Sequence, residues 1–385
     1  MHGAYMTDSS AINSQALNQP VGWGILGTGY IAGMFAADLA YVPGARLVAV
    51  GSRTKEKADA FGRTFGIPHR HASYAELVQD PHVQVVYIAT PASVHKENML
   101  LCLNAGKAVL CEKPFTVNAR EAEEAINLAR RKKVFLMEAM WTRFLPAMGK
   151  VRELLAEGTI GEAKSLSADL GSPVSKDQRD RMYDPQLGGG VVLHKGVYLL
   201  SLASMILGTP MEVKSLGYVG ETGVDEEAGI VLSCPPQRMA VLYCSMRVHT
   251  AREAVIIGTK GTIRIHAPVN CPSRLSITLH EGMDRHGGHY GSSLRGRIKE
   301  WLVIYGKRNR MVRWARERCW VLGEFLLHGT RTQELFFPPI GHGLHYQVAE
   351  VIKCLRVGQL ESDIMPLDET LSIMRTMDQI RGQKD

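Results

Sequence analysis

The chain of 385 residues has seven cysteines but no C-x-x-C pair. An odd set of scattered thiols (Cys102, Cys111, Cys234, Cys244, Cys271, Cys319, Cys354) argues against a disulfide framework or a zinc ribbon. It fits reduced thiols in a cytoplasmic protein. No run approaches the ~20 consecutive apolar residues of a membrane span. The N-terminus lacks a basic region followed by an apolar core, so it does not read as a secretory signal; residues 1–20 read as a mobile tail. Spread-out charge is lacking too. The formal net charge is +7, and Arg295–Arg318 alone holds nine Lys/Arg against Glu300 and Glu317. The remainder is close to neutral, which excludes a general nucleic-acid-binding character and leaves one local basic segment.

What is present is ordinary globular composition, 45% hydrophobic and 22% charged. From Val21 to about Arg143, short apolar runs alternate with helical patterns. Val21–Leu26, Arg46–Val50, Val83–Ala89, Ala108–Cys111 and Val134–Met137 read as strands. Val83–Ala89 is β-branched and continuous, as a strand buried on both faces should be. Ala58–Phe65, Val94–Asn104 and Arg120–Arg131 read as helices between them. That alternation predicts a doubly wound parallel sheet. After Pro146 a helix (Met148–Leu155) leads into closely spaced strands between Glu162 and His280, interrupted by a helix at Val191–Leu207. This predicts an α+β second half with a mainly antiparallel open sheet, closed by helices near Gln347–Val357 and Leu367–Ile380. Asp284–Leu335 stands apart as a basic insertion, helical in pattern through Ile298, Trp301, Leu302 and Tyr305.

Gly27-Thr28-Gly29-Tyr30-Ile31-Ala32 fits G-x-G-x-x-A directly after the first strand. The first glycine permits a tight turn and the second lets the backbone approach a pyrophosphate. The anion would then meet the free N–H groups and dipole of a helix N-terminus. Coming after a strand and before a helix, the turn predicts a Rossmann domain over residues 21–145 that binds NAD or NADP. The second strand ends in Gly51-Ser52-Arg53, with no acidic residue for a ribose 2′-hydroxyl. Ser52 and Arg53 could hold a 2′-phosphate, which leans toward NADP; Arg53 could equally stack on adenine.

Further motifs carry a family likeness: Ala89-Thr90-Pro91 with His95, Cys111-Glu112-Lys113-Pro114, Gly188-Gly189-Gly190 and Gly196-Val197-Tyr198. With the glycine turn, the chain resembles the glucose–fructose oxidoreductase / inositol 2-dehydrogenase / MocA family from about Val21 to Arg381, outside Asp284–Leu335. Met137-Glu138-Ala139-Met140-Trp141 and Met365-Pro366-Leu367 make it similar to that family's dihydrodiol dehydrogenase / xylose dehydrogenase branch. The resemblance implies a cofactor site that also takes in Thr90, Pro91, His95, Glu112, Lys113 and Trp141. It further implies that Lys113 touches both nicotinamide ribose and reacting hydroxyl, and that Tyr198 is the acid–base group. The chemistry agrees. Oxidising a carbinol requires removing its proton, and an ammonium stabilises the developing alkoxide. A phenol of ordinary pKa (about 10) needs a neighbouring cation, Lys113 or Lys195, to act near neutrality. A cis Lys113–Pro114 bond would aim the lysine.

The departure is His194, where related dehydrogenases carry aspartate. At i, i+4 it shares a helix face with Tyr198. With Lys195 beside it, the substitution is expected to make the site more cationic and to suit an anionic substrate, with Arg143, Arg181 and Lys176 as further anion contacts. Two activities follow. One is hydride transfer between NAD(P) and a ring hydroxyl of a sugar or cyclic diol, with Lys113 and Tyr198 handling the proton and His194 assisting. The other is redox-neutral hydrolysis of an anionic glycoside, for example a sulfoquinovoside, through transient oxidation. The basic Arg295–Arg318 segment could touch an anionic membrane with Trp301, Trp314 and Trp320, although a contact in a homo-oligomer (dimer or tetramer) or a solvated helix is the simpler reading. His286/His289 and His342/His345 have zinc-ligand spacing, but the glycines beside them fit loops better, so no metal is assigned. His345 is taken instead as a residue lining the substrate pocket.

Overall fold

The computed structural model describes residues 19–174, 181–280 and 330–383. Six strands form the first sheet: β1 (Val21–Leu26), β2 (Ala45–Gly51), β3 (His69–His71), β4 (Val85–Ile88), β5 (Ala108–Glu112) and β6 (Leu136–Ala139). Their order is β3-β2-β1-β4-β5-β6, and every pairing is parallel. This is the doubly wound dinucleotide-binding order, which places ligands at the strands' carboxyl ends where the order reverses, between β1 and β4. The central strands are wholly buried, as their unbroken apolar runs require. Trp23 of β1 and Tyr87 of β4 clamp Phe35 of the first helix (Tyr30–Leu39); the Phe35 and Tyr87 rings stack with centroids 3.7 Å apart.

The second sheet has eight strands: β7 (Ala163–Gly171), β8 (Glu212–Val219), β9 (Asp225–Cys234), β10 (Arg238–Ser245), β11 (Ala254–Gly258), β12 (Gly261–Ile265), β13 (Arg274–His280) and β14 (Thr330–Phe336). All neighbours are antiparallel except β7 with β10. The inner face buries alternate residues such as Ala240, Leu242 and Cys244 against the helix Val197–Leu207. By composition Pro185–Leu207 could span a membrane, but 78% of that window is buried inside the protein, so it is a core helix.

Two expectations change here. The helical pattern of Asp284–Leu335 does not hold at its end. Thr330–Phe336 is strand β14 at the sheet edge, its backbone pairing residue by residue with β13 and Thr332 bonding Thr278 at 3.0 Å. The rest of that insertion, with Arg295–Arg318, His286, His289 and Cys319, lies outside the described residues, as does Lys176. The turn-rich stretch between β2 and β4 holds two elements that the sequence reading passed over: the three-residue edge strand β3 and the helix Tyr74–Gln79. Finally, the C-terminal helix Leu367–Gly382 packs back on the helix Ala119–Lys132. Asp378 Oδ2 accepts from Ala119 N at 2.8 Å and Arg381 donates to the Val117 carbonyl at 2.7 Å.

Candidate active site

The glycine turn is built for an anion. Gly27 has φ +102°, and a Cβ there would sit 2.8 Å from the Ala89 carbonyl oxygen, so only glycine fits. A Cβ on Gly29 would meet nothing within 4 Å, so the space over the turn is open. Gly29 caps the helix Tyr30–Leu39 without any side-chain hydrogen bond, and no acidic residue lies in the first turn. The first N–H groups therefore face that open space with nothing competing for them. Tyr30 is 81% exposed at this rim, with Thr28 and Ile31 partly exposed beside it. At the end of β2, Ser52 is buried and Arg53 is exposed. Ser52 N–H donates to the His71 carbonyl at 3.2 Å, while Arg53 makes no ion pair with a described residue. Open turn, uncapped helix end and free arginine fit a dinucleotide.

Across the turn, Thr90 and Pro91 follow β4. His95 is 1% exposed, its ring lying between the Pro114 carbonyl (2.9 Å from Nδ1) and the Thr90 carbonyl (2.8 Å from Nε2). It braces the two loops rather than reaching the cofactor space, and burial lowers its pKa. Asn98 donates to Thr90 Oγ1 at 2.9 Å in the same brace. Glu112 ends β5, buried; it accepts from Tyr87 Oη at 2.5 Å and from the Lys113 amide at 3.2 Å. Burial raises its pKa against those hydrogen bonds and the Lys113 charge. Glu112 thus sets the strand end from which Lys113 projects, and the Lys113–Pro114 bond is cis.

Lys113 Nζ donates to the His194 carbonyl at 3.2 Å and stands 4.7 Å from the centre of the Tyr198 ring. Tyr198 Oη accepts from Trp141 Nε1 at 3.1 Å. These residues are brought together by an irregular helix start. Gly188 and Gly190 have positive φ, and Val192–Gly196 forms a π-helical turn before the α-helix begins at Val197. Asp225, whose Oδ2 accepts from Val192 N at 2.7 Å, fills the space where a Cβ on Gly190 would lie. Such π turns recur at functional sites because the extra residue re-aims side chains.

The expected cationic character of His194 is corrected. Burial and the charges of Lys113 and Arg181 push its pKa down to about 3, against a backbone hydrogen bond to Gly188, so the ring is neutral. Its Nε2 is buried with no hydrogen-bond partner among the described residues. Three proposed substrate contacts are not brought to the site. Lys195 Nζ turns away, binding the Ser245 carbonyl at 2.9 Å and both oxygens of Ser172; burial lowers its pKa to about 8. Arg143 is 3% exposed and forms a two-pronged pair with Glu369, 2.6 and 2.9 Å, plus bonds to Ser201. His345 lies at the far end of the helix Tyr30–Leu39, 3.5 Å from Asp38 and packed on Tyr41. Arg181 alone of the four is exposed, without an ion pair among described residues, and its charge is felt by His194, Glu112 and His95.

Sequence reasoning missed Tyr87 and Asp225, whose roles depend on chain segments far apart. It missed Glu138 as well. Burial raises the pKa of this β6 carboxyl to about 7, and its Oε1 has no partner among the described residues. Trp141, expected at the cofactor, places its indole N–H on the tyrosine hydroxyl.

Comparison with known proteins agrees with the two-sheet fold. Residues 21–140 match the model of the GFO/IDH/MocA oxidoreductase family with its NAD-binding Rossmann fold, and residues 148–264 match that family's C-terminal domain. A trans-1,2-dihydrobenzene-1,2-diol dehydrogenase from Mus musculus is 33% identical over 372 residues, covering 93% of this chain and 95% of that protein. The chain belongs to the GFO/IDH/MocA oxidoreductase family. The Homo sapiens dihydrodiol dehydrogenase is 32% identical over 371 residues. Among solved structures, a 3-ketoreductase from Actinomadura kijaniata in complex with NADP superimposes with TM-score 0.72 at 22% identity, covering 95% of this chain and 98% of that one. An aldose–aldose oxidoreductase from Caulobacter crescentus gives TM-score 0.74 at 21% identity, covering 94% and 96%. The chain is thus an NAD(P)-dependent oxidoreductase with an α/β dinucleotide-binding sheet and a mainly antiparallel second sheet.

Proposed function

We propose that this enzyme reversibly oxidises a secondary ring hydroxyl of a cyclic diol or sugar to the ketone, using NADP. The observation that carries the reading is the placement of the Lys113 ammonium 4.7 Å from the Tyr198 ring centre at the cofactor-facing end of β5. The names of the dihydrodiol dehydrogenases and of the ketoreductase and aldose oxidoreductase support the substrate class. The bound nicotinamide supplies the acceptor for the carbinol hydrogen. The chain handles the proton: Tyr198 removes it from the hydroxyl, Lys113 stabilises the oxygen as negative charge grows, and Trp141 fixes the tyrosine hydroxyl. Neutral His194, with an unused Nε2, is a hydrogen-bond partner for a neighbouring substrate hydroxyl rather than an anion clamp. Among the described residues, Arg181 is a cation free of ion pairs that can meet a substrate carboxylate or phosphate.

Preference for NADP follows from Ser52 and Arg53 standing where an acidic residue would repel a 2′-phosphate. Residues 21–145 form the cofactor domain and residues 146–385 the substrate and oligomerisation domain. Outward-facing Leu216, Met239 and Val241 on the open face of the second sheet fit a homo-oligomer contact. Among the described residues, six free thiols, five of them buried, suit a reducing cytoplasm. The redox-neutral glycosidase reading keeps the family likeness but is not favoured by His194 and Lys195, since burial leaves the first neutral and the second binds Ser172 and Ser245.

The test is a panel of cyclic diols, sugars, sugar acids and aryl glycosides incubated with enzyme and NADP. Reduced nicotinamide forming in step with ketone is expected. Aglycone release without reduced cofactor would overturn the reading in favour of hydrolysis.

A further inference from the structure

Among the described residues, His69, Asp80 and His82 have ligand atoms lying within 4.8 Å of one another. They sit at the sheet edge furthest from Lys113. His69 and His71 alternate by two on the edge strand β3, so both side chains leave from one face. Asp80 closes the helix Tyr74–Gln79, and His82 follows in the turn before β4. The Asp80 carboxylate is 3% exposed; its Oδ2 accepts from His69 Nδ1 at 2.6 Å and from His71 Nε2 at 3.0 Å. Its Oδ1 accepts from the His82 backbone N–H at 2.9 Å. The cluster opens onto a surface pocket lined by these four residues, so an ion can enter and water can complete its shell.

Hydrogen bonding accounts for His69, His71 and Asp80, which fasten β3 to the turn. It does not account for His82. That ring is exposed, makes no side-chain hydrogen bond to a described residue, and stands edge-on to His69 with centroids 4.9 Å apart. Two imidazoles converging beside one buried carboxylate offer a mixed nitrogen–oxygen set. Such a set suits zinc and its neighbours in the first transition row; magnesium and calcium favour oxygen alone.

We propose that His69, Asp80 and His82 bind a zinc-class divalent ion, with His71 as the outer donor that orients the Asp80 carboxylate. The ion staples the three-residue edge strand β3 to the Asp80–His82 turn. It stands apart from the proposed chemistry at Lys113 and Tyr198, so the two readings fail separately.

The experiment titrates zinc chloride into the tag-free, full-length protein by calorimetry and follows thermal unfolding, with magnesium chloride as control. One saturable zinc site and a raised melting temperature with zinc alone are expected. His82→Ala should weaken zinc binding by about 10–100-fold or more while leaving the zinc-free melting temperature unchanged. His69→Ala should lose zinc binding too, and His342→Ala should retain it. Unsaturable binding in the wild type, wild-type isotherms in both His82→Ala and His69→Ala, or loss of the site in His342→Ala would each overturn the assignment.

Discussion

One helix, Val197–Leu207, carries two polar clusters that differ in how fully their groups are satisfied. At its N-terminal end, the Lys113 ammonium makes a single 3.2 Å hydrogen bond among the described residues and His194 Nε2 makes none. One turn further along, Ser201 and Ser204 join Arg143 and Glu369, where the guanidinium spends its donors on Glu369, Ser201 and the Ile364 carbonyl. Burial is alike in the two places. A folded chain tolerates an unpaired buried polar atom only at a cost, so its natural place is where a ligand will complete it. The satisfied cluster holds the fold; the unsatisfied one is the place proposed above for the substrate.

That contrast is broken most directly at its open end. Lys113→Ala and Tyr198→Phe should each lower kcat/KM by about 10²–10⁴-fold while melting like the wild type. Steady-state kinetics beside thermal unfolding checks this, and wild-type rates in both would remove the assignment. At the closed end the effect should move from rate to stability. Arg143→Ala strands a partly buried Glu369 and should cost about 3–5 kcal/mol in denaturant unfolding, with kcat little changed in whatever folds.

The smallest effect concerns pH and sharpens the comparison. His194 has a folded pKa of about 3 against 6.5 for the free group, so the unfolded chain takes up its proton first. Its contribution to stability is complete above 6.5 and is lost as pH falls toward about 3. His194→Asn should flatten the dependence of unfolding free energy on pH in that window. Because the ring is already neutral, the variant should leave the acid side of the activity profile in place. A shift of that limb would show that His194 titrates during turnover.

The outer strand edge teaches a related lesson. Asp80 and Asp38 are both buried carboxylates bonded by histidine, and in both, hydrogen bonds hold the pKa low against burial: Asp80 at about 2 through the His82 amide, His69 and His71, Asp38 through His342 and Leu344. Neither was visible in the sequence as a partner of anything. His342 and His345 drew notice by their spacing, yet their place is a clasp between the C-terminal half and the first helix.

The sequence by itself determined the first sheet, the glycine turn and most strands of the second, because those rest on local periodicity and on backbone conformations that few residues adopt. It also marked Lys113 and Tyr198, through motifs that keep their neighbours. Tertiary structure alone decided which cations face the site. Arg143 lies two residues after Trp141, and Lys195 three residues before Tyr198. Only packing revealed that Glu369 claims the first, that the carbonyls of Ser172 and Ser245 claim the second, and that burial leaves His194 neutral. Charge and burial depend on what surrounds a group in space, and neither spacing nor composition encodes that.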